Sequence, residues 1–201
     1  SFVRAAVLRA AGDSHDPKLI SLLVKGIEDY YPTARLFALQ GLKNVSRMEA
    51  LAAARNLTDD PDIWVRSAAV EMLGDEGGPE VAEEIRGYLK SYDVPMKLAA
   101  SAGLVKLGEE KYMKEVLDPL THPIPDRRYQ AIGHLGKIGS KKVLPHLVNL
   151  FDHSETEMIF YSLKALEGKA TLDMLPKLKA LAKHTNPSVR QATAMAMSNL
   201  K

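Results

Sequence analysis

The apolar residues of this sequence recur three or four positions apart, and the whole pattern recurs at a constant longer interval. Each repeat can be counted from a basic residue, here called the anchor, which Ile159 replaces in the sixth repeat. The other six anchors, all Lys or Arg, are Arg4, Arg35, Arg66, Lys97, Arg128 and Arg190. The period, about 31 residues, is typical of repeat proteins in which each unit stacks on its neighbours.

Each repeat begins with an amphipathic helix near its anchor. Apolar or small residues stand one position before the anchor, three after it and seven after it, as Val65, Ala69 and Leu73 do in the third repeat. These positions lie one helical turn apart, so they share one face. The pattern predicts first helices at 1–11, 32–44, 62–74, 94–107, 125–138, 156–167 and 187–200.

A second apolar stripe follows in each repeat after a short polar turn. In the fifth repeat it consists of Val143, Leu144, Leu147, Leu150 and Phe151. On a helix these residues cover an arc of about 120°, which is wide enough to pack on the first helix and on adjacent repeats. The pattern predicts second helices at 16–27, 47–57, 79–90, 110–120, 141–152 and 172–184.

Glycine and proline punctuate these helices. Glycine-containing turns at Gly12-Asp13, Gly77-Gly78-Pro79, Gly108 and Gly139-Ser140 stand near helix ends, where a left-handed residue is expected. Prolines precede the first helices, a position at which their missing N–H costs nothing. Alternation of period two, which would indicate strands, is not convincing anywhere.

Together these patterns predict an all-α fold, an α-solenoid that forms a right-handed superhelix of helix–turn–helix repeats. The length of 201 residues corresponds to about 6.5 repeats of this period, expected to form a single domain over 1–201. Natural solenoids end in polar capping repeats, whereas both ends of this sequence fall at or near a first helix. We therefore expect the sequence to be a fragment of a longer chain.

Composition narrows the class of protein. Hydrophobic residues make up 46% and charged residues 26%, which is typical of a folded chain. A net charge of +2 does not indicate binding to nucleic acid or to an anionic membrane. Cysteine is absent, which excludes disulfides, thiolate metal sites and cysteine nucleophiles. Without a membrane-spanning apolar run or a signal sequence, we expect a soluble protein, in the cytoplasm rather than the periplasm.

One sequence pattern is similar to a known family. The run Asp-Pro-x-x-x-Val-Arg-x-Ala-Ala-x-x-x-Leu-Gly around Arg66 resembles HEAT repeats, and more narrowly the short HEAT-like repeats named after phycobilisome lyases. The resemblance covers the whole chain. It implies that an Asp six residues before each Arg helps to tie neighbouring repeats together through a ladder of hydrogen bonds.

The aspartates that match this ladder are Asp29, before Arg35, and Asp60, before Arg66. The later repeats depart from the pattern, with Ser91, His122, His153 and His184 at the equivalent positions. The resemblance therefore implies a ladder that weakens toward the C-terminal half.

The three histidines, which hold the same position in consecutive repeats, do not predict a metal site. Packed helices lie about 8–10 Å apart, whereas zinc needs nitrogen ligands at about 2.0–2.1 Å. Equivalent residues of adjacent repeats therefore cannot share one ion, and a turn or helix-capping role is favoured.

Catalytic patterns are lacking as well. The acidic pairs Glu83-Glu84 and Glu109-Glu110 fall on polar faces or turns rather than in a cleft that would shift their pKa. Neither a Gly-x-Ser-x-Gly turn nor a phosphate-binding Gly-x-x-x-x-Gly-Lys loop occurs. We expect no catalytic residue, no metal and no cofactor, although a role as a lyase-type subunit stays open.

The polar side of the second helices is the predicted partner surface, because these helices usually line the concave side of a curved solenoid. Its charge runs from acidic to mildly basic along the chain, so a complementary protein or peptide would dock in one register. The candidate residues are Glu83, Glu84, Lys111, Lys114, His146 and Lys177. Possible aromatic anchors are Trp64, Tyr88, Tyr92, Tyr112 and Tyr161.

We therefore expect a non-catalytic scaffold that binds a protein or peptide along the second helices. Two alternatives follow from the resemblance. One is a subunit similar to the phycobilin lyases. The other is a nucleic-acid binder similar to HEAT-like glycosylases, which acidic residues on the same surface disfavour because they repel phosphate.

The ladder predicts a structural role for Arg66. Replacing Arg66 by Ala should lower the free energy of unfolding by about 1–3 kcal/mol, because it strands a partly buried carboxylate. Partner binding should stay intact. Denaturant melts and a binding assay on the same variant check this, and unchanged stability with lost binding would contradict it.

Overall fold

The computed structural model describes residues 2–198 and Leu200. Every regular element within these residues is a helix, which confirms the predicted all-α class. Ser1 of the first predicted helix and Asn199 of the last one lie outside the described residues. The chain divides into two compact units, residues 1–112 and 113–201, so the single domain expected over 1–201 stays a prediction.

The first unit contains the first three repeats and most of the fourth. Its α-helices are α1 (Phe2–Asp13), α2 (Ile20–Gly26), α3 (Pro32–Val45), α4 (Arg47–Leu57), α5 (Ile63–Glu76), α6 (Ala82–Tyr88) and α7 (Val94–Lys106). Short 3₁₀ helices occur at Pro17–Leu19, Pro79–Val81 and Glu110–Tyr112. The first helices of the repeats are α1, α3, α5 and α7.

The second unit follows the same plan. Its α-helices are α8 (Met113–Leu117), α9 (Pro125–Ile138), α10 (Leu144–Asn149), α11 (Thr156–Ala165), α12 (Leu175–Leu181) and α13 (Pro187–Ser198). Short 3₁₀ helices occur at Asp118–Thr121, Leu150–Asp152 and Leu172–Met174. Here the first helices are α9, α11 and α13, and the second helices are α8, α10 and α12.

The helix positions match the predicted ones, but most second helices are shorter than predicted. Several open or close with a 3₁₀ turn, as at Pro17–Leu19 and Pro79–Val81, where proline fixes φ and supplies no N–H to an α-helical ladder.

The predicted left-handed glycines also differ in part. Gly108 and Gly139 have positive φ, whereas Gly12 lies inside α1 and His15 takes the left-handed conformation. Gly77 caps α5 in an extended conformation.

The predicted apolar stripes form the core. In α5, Val65, Ala69 and Leu73 are fully buried, and Val143 and Leu147 are fully buried in the fifth repeat. Leu73 lies in a continuous cluster of buried side chains that runs through the first unit, from Ala5 to Leu104.

Glycine allows some first helices to touch through their backbones. A Cβ atom added to Gly12 would lie 2.4 Å from the Cα of Gly41, and one added to Gly74 would lie 2.6 Å from the Cα of Gly103. Neither glycine has positive φ, so close approach, rather than backbone conformation, requires them. Helix α1 packs directly on α3, and α5 on α7, without a side chain between them at these points.

These contacts recur at every second junction. Gly12, Gly74 and Gly136 hold the same position in the first, third and fifth repeats. In the second unit a Cβ atom added to Gly136 would lie 2.7 Å from the Cβ of Ala165. Between the second and third repeats, the equivalent positions hold Lys43 and Met72. The close-contact repeats are therefore the first with the second, the third with the fourth, and the fifth with the sixth.

The arginine anchors join consecutive repeats through carboxylates. Arg35 binds Asp60 with two hydrogen bonds, from Nε at 2.7 Å and from Nη2 at 2.6 Å, and both residues are buried. Arg4 binds Asp29 in the same way, with its Nε 2.6 Å from Oδ2. The hydrogen bond from Arg4 is the main cause that lowers the pKa of the Asp29 carboxyl.

The Asp six residues before Arg35, like that before Arg66, joins neighbouring repeats, as the resemblance implies. The carboxylate of Asp29 accepts from Arg4 of the preceding repeat, and the backbone carbonyl of Asp29 accepts from Arg35 of its own repeat. Arg35 Nη1 donates to the carbonyls of Asp29 at 2.8 Å and Tyr30 at 3.1 Å, and Arg66 uses Asp60 and Pro61 in the same way. Each such guanidinium therefore holds its own turn and the next one together.

The ladder persists at Arg66 and Arg128, whereas Ile159, whose side chain cannot donate a hydrogen bond, interrupts it, in line with the predicted weakening toward the C-terminal half. The acid moves two residues along the chain, because Arg66 Nε donates to Asp93 at 2.7 Å and Arg128 Nη2 donates to Glu155 at 2.5 Å. The carboxylate that Arg66→Ala strands is therefore that of Asp93. Arg128 keeps a buried Nε without a hydrogen-bond acceptor among the described residues. Two anchors are not arginine. Of these, Lys97 is exposed and Ile159 is buried in the core.

The histidines of the later repeats cap the turns that precede the first helices. Nδ1 of His122, His153 and His184 lies 3.0 Å from the backbone nitrogen two residues further on in each case. Asp60 makes the same contact with the N–H of Asp62 at 2.9 Å. These histidines therefore cap the turn in the same way as aspartate does in the earlier repeats, in agreement with the capping role favoured above.

A second set of charges joins the C-terminal ends of three first helices. The Asp75 carboxylate accepts from Lys43 of α3 at 2.9 Å and from Lys106 of α7 at 2.6 Å, and its side chain is only 13% exposed. Burial alone would raise the pKa of Asp75, but the two lysines outweigh it and the net shift is downward. Asp75 thus links α5 to the first helix on either side.

The glycine contacts can be tested with a matched pair of substitutions. Gly74→Ala should lower the free energy of unfolding by about 1–3 kcal/mol, because the added methyl group forces α5 and α7 apart. Gly133→Ala, in α9 with no atom within 4 Å of the added Cβ, should instead be neutral or stabilise by about 0.4–1 kcal/mol through the unfolded state. Denaturant melts measure both, and equal effects would contradict the close-contact interpretation.

The Asp75 site predicts a pH dependence. Because the folded-state pKa lies below the unfolded value of about 3.9, the contribution of ionised Asp75 to stability is present above that value. It is lost as the pH falls through the folded pKa. Asp75→Asn should cost about 1–3 kcal/mol at neutral pH, and its difference from the wild type should shrink below about pH 4.

Melts across this pH range measure the difference. Asp13→Asn, which alters an exposed pair with Arg9, serves as the control and should change stability little. A constant Asp75→Asn deficit down to the most acidic sample would contradict the assignment.

Candidate interaction surface on the second helices

In the first unit, the acidic residues predicted to meet a partner are engaged with other repeats or with their own helix. Glu84 accepts from Arg55 of the preceding second helix at 3.1–3.2 Å. Glu83 accepts from Arg86 one turn away, and Arg86 also reaches Glu109 at 3.0 Å. Part of the predicted partner surface is therefore a second row of ion pairs between repeats.

The predicted basic residues have similar contacts. Lys111 lies 3.3 Å from Glu109 and 4.9 Å from the centre of the Tyr112 ring, and its hydrogen bond to Glu109 is the main cause that raises its pKa. In the second unit, Lys114 of α8 pairs with Asp118, the first residue of the following 3₁₀ helix, at 2.9 Å. Both lysines are exposed, so water weakens these pairs and they could exchange for a partner's carboxylate.

The remaining two candidates lie on α10 and α12. Lys177 of α12 binds Asp152, at the end of the fifth repeat, at 2.6 Å. His146 of α10 is half-buried. The predicted residues thus do not converge on one point, and Lys177 lines a recess.

That recess is a groove of about 490 Å³ between α10 and α12, here called the second-helix groove. Its volume falls within the range of about 300–1,000 Å³ that is typical of ligand sites. Its lining residues are Lys141, Leu144, Pro145, Val148, Asn149, Thr171, Asp173, Met174 and Lys177.

The groove has an apolar floor and a polar rim. Leu144 and Met174 are 8% and 6% exposed and form the floor, with the half-buried Val148 beside them. Lys141 is an exposed cation at the rim, Lys177 is a half-buried one, and Asp173 is an exposed carboxylate. An elongated ligand with apolar groups and a carboxylate would match both parts.

Sequence reasoning placed Lys177 on the predicted partner surface but did not identify the groove. Neither Lys141 nor Val148 belongs to the apolar stripe of its helix or to the candidate partner residues. One sequence feature that could have indicated the groove is Val148, an apolar residue outside the apolar stripe of its helix. The short α10 and α12, each with proline in its first turn, were a further signal.

Two smaller recesses lie elsewhere. One of about 240 Å³ is formed by α1, α2 and Asp29, and one of about 130 Å³ lies between α11 and α13. Across the described part of the chain, no cluster of three His, Cys, Asp or Glu side chains is arranged to hold a metal ion. Nor does any helix there have the length and apolarity needed to span a bilayer.

Comparison with known families agrees with the repeat pattern. Residues 20–102 match the family described as HEAT repeats. Residues 127–153 match the PBS lyase HEAT-like repeat. The second match includes most of α9 and all of α10, which forms one wall of the second-helix groove.

Individual proteins give the following likenesses. Phycocyanobilin lyase subunit alpha of Synechococcus elongatus is 25% identical, over 75% of this chain and 73% of that protein. Human deoxyhypusine hydroxylase in complex with glycerol is 20% identical, covering 98% of this chain and 79% of that one, with a TM-score of 0.47. A designed armadillo repeat protein is 18% identical, covering 98% and 93%, with a TM-score of 0.38.

Proposed function

We propose that this chain, which is built from HEAT-like repeats, is a non-catalytic module that binds a protein or peptide partner in the second-helix groove. The observation that carries the proposal is the groove itself. It combines an apolar floor at Leu144 and Met174 with lysines at the rim. The ladder and the Asp75 site, in contrast, use their charges to hold repeats together.

The groove suggests what the partner segment looks like. One apolar side chain would cover the floor beside Val148, and a nearby carboxylate would meet Lys141 or Lys177. Lys177 can exchange partners because Asp152, which it binds, has a side chain that is 75% exposed. Exposed pairs of this kind contribute little stability, so replacing Asp152 by a ligand carboxylate costs little.

A peptide-display selection against the full chain tests the proposal. Selected peptides should combine an apolar residue with Asp or Glu, and Val148→Asp should weaken their binding at least about tenfold, since a charge in the groove removes a central apolar contact. Val24→Asp is the matched control, because Val24 is a partly exposed valine on the second helix α2 of the other unit. Fluorescence polarisation measures both affinities.

Two results would overturn this assignment. One is selected peptides whose affinity is unchanged by Val148→Asp. The other is equal weakening by Val24→Asp. Circular dichroism melts of each variant establish that it is folded.

A second candidate is a subunit that handles a bilin, in keeping with the relative named for phycocyanobilin lyase. The match to the PBS lyase HEAT-like repeat covers one wall of the groove. A linear tetrapyrrole, with apolar rings and propionate carboxylates, also fits an apolar floor beside lysines.

The same variants separate this candidate from the first. Phycocyanobilin added to the wild type should shift its absorption band, and Val148→Asp should abolish the shift while Val24→Asp should not. The absence of any shift would remove this candidate and leave the peptide proposal in place.

A further inference from the structure

Exposed aromatic side chains mark the turns between successive repeats of the first unit. Tyr92 is 100% exposed, Tyr30 is 84% exposed and Trp64 is 51% exposed. Tyr31, beside Tyr30 with their ring centres 5.1 Å apart, is 41% exposed. These four residues, here called the aromatic edge, stand in or just after the turns that lead into α3, α5 and α7.

The arginine ladder places these turns next to one another. Arg35 reaches from the carbonyls of Asp29 and Tyr30 to the carboxylate of Asp60. Arg66 reaches from the carbonyls of Asp60 and Pro61 to the carboxylate of Asp93. Consecutive turns are therefore within the reach of one side chain, and each presents at least one ring to solvent.

The aromatic edge does not contribute to the fold as the apolar stripes do. Exposed aromatic groups that repeat on neighbouring turns offer a row of contact points to an extended partner. Tyr and Trp are also the residues that most often dominate binding energy. Neither the core nor the second-helix groove, which lies in the other unit, uses them.

Charge narrows the choice of partner. The carboxylates of Asp29, Asp60 and Asp93 are neutralised by the ladder arginines. The first two turns also carry the carboxylates of Glu28, Asp59 and Asp62, with no basic residue within 28–33 or 59–64. A basic segment complements these two turns, whereas a phosphate backbone is repelled there. The third turn, which carries Tyr92, has the exposed Lys90 instead.

The spacing of the aromatic rings indicates the conformation of the partner segment. Packed helices lie about 8–10 Å apart, so the turns advance by about that distance per repeat. A polyproline II helix has three residues per turn and a rise of about 3.1 Å per residue, which gives about 9.3 Å per turn. Every third residue of a polyproline II helix would therefore lie beside the next inter-repeat turn of this protein. Its proline rings would pack against the aromatic rings, as they do in proline recognition sites.

We propose that the aromatic edge binds a proline-rich segment that carries Arg or Lys at every third position. The prolines pack on Tyr30, Trp64 and Tyr92, and the basic side chains pair with Glu28 and Asp59. The extended segment runs along the turns from α3 toward α7. This site is independent of the second-helix groove, so either can fail without the other.

The probe is a synthetic peptide of four Arg-Pro-Pro triplets added to the full chain. Trp64 is the single tryptophan of the sequence, so its emission reports directly on this surface. Saturable emission change is expected, and Tyr30→Ala and Tyr92→Ala should each weaken binding at least about fivefold. Met48→Ala, which removes another well-exposed apolar side chain of the same unit from the second helix α4, should leave the affinity unchanged.

A control peptide and a double variant distinguish the contribution of the peptide's charge from that of its polyproline conformation. A peptide of four Arg-Gly-Ser triplets has the same charge but no polyproline preference, and it should bind at least about fivefold more weakly. The double variant Glu28→Gln with Asp59→Asn should weaken the Arg-Pro-Pro peptide and reduce its salt dependence.

The proposal is overturned if the two peptides bind equally, or if neither tyrosine substitution weakens binding. It is likewise overturned if the wild-type Trp64 emission shows no saturable response. Stronger binding of a single-stranded oligothymidine than of the Arg-Pro-Pro peptide would assign the edge to nucleic acid instead.

Discussion

A single type of contact, a guanidinium that holds two turns at once, underlies the order of the repeats. Arg35 donates to two carbonyls of its own turn and makes two bonds to the carboxylate of the next repeat. Five donors in a fixed planar fork suit this task, which an ammonium group cannot reproduce. Because Arg35 and Asp60 are buried, loss of one partner leaves an uncompensated charge inside the protein. Where such a pair forms, neighbouring repeats are thus fixed in register by hydrogen-bond geometry as well as by apolar packing.

Much of the fold could be predicted from the sequence because helical periodicity and the longer repeat period point to the same elements. Spacing alone predicts that Val65, Ala69 and Leu73 lie in the core, and all three are fully buried. The ends of the second helices were less predictable, since proline-induced 3₁₀ turns depend on local geometry. The partner of each arginine was also not predictable, because Asp60 and Asp93 stand at different positions of their turns and yet meet equivalent arginines.

The candidate site could be predicted only in part. The repeat position predicts which residues of the second helices are polar, but it does not distinguish a residue that could bind a ligand from one that binds its neighbour. Glu84 belongs to the second kind, because it accepts from Arg55 of the preceding repeat. The groove beside Lys177 depends on the space left between short α10 and α12, which becomes visible only once the helices are packed.

The alternation of glycine contacts has a mechanical consequence. Where Gly12 meets Gly41 and Gly74 meets Gly103, backbones touch and leave no side chain that could rearrange. At the junction between these pairs, the equivalent positions hold Lys43, which pairs with Asp75, and Met72, whose flexible unbranched side chain can adjust to small changes in helix spacing. Under tension or bending, the first unit would therefore deform at its central junction before either pair, as two stiff segments joined by a compliant one. Asp75, which is bound to lysines on both sides of α5, would limit how far that junction can open.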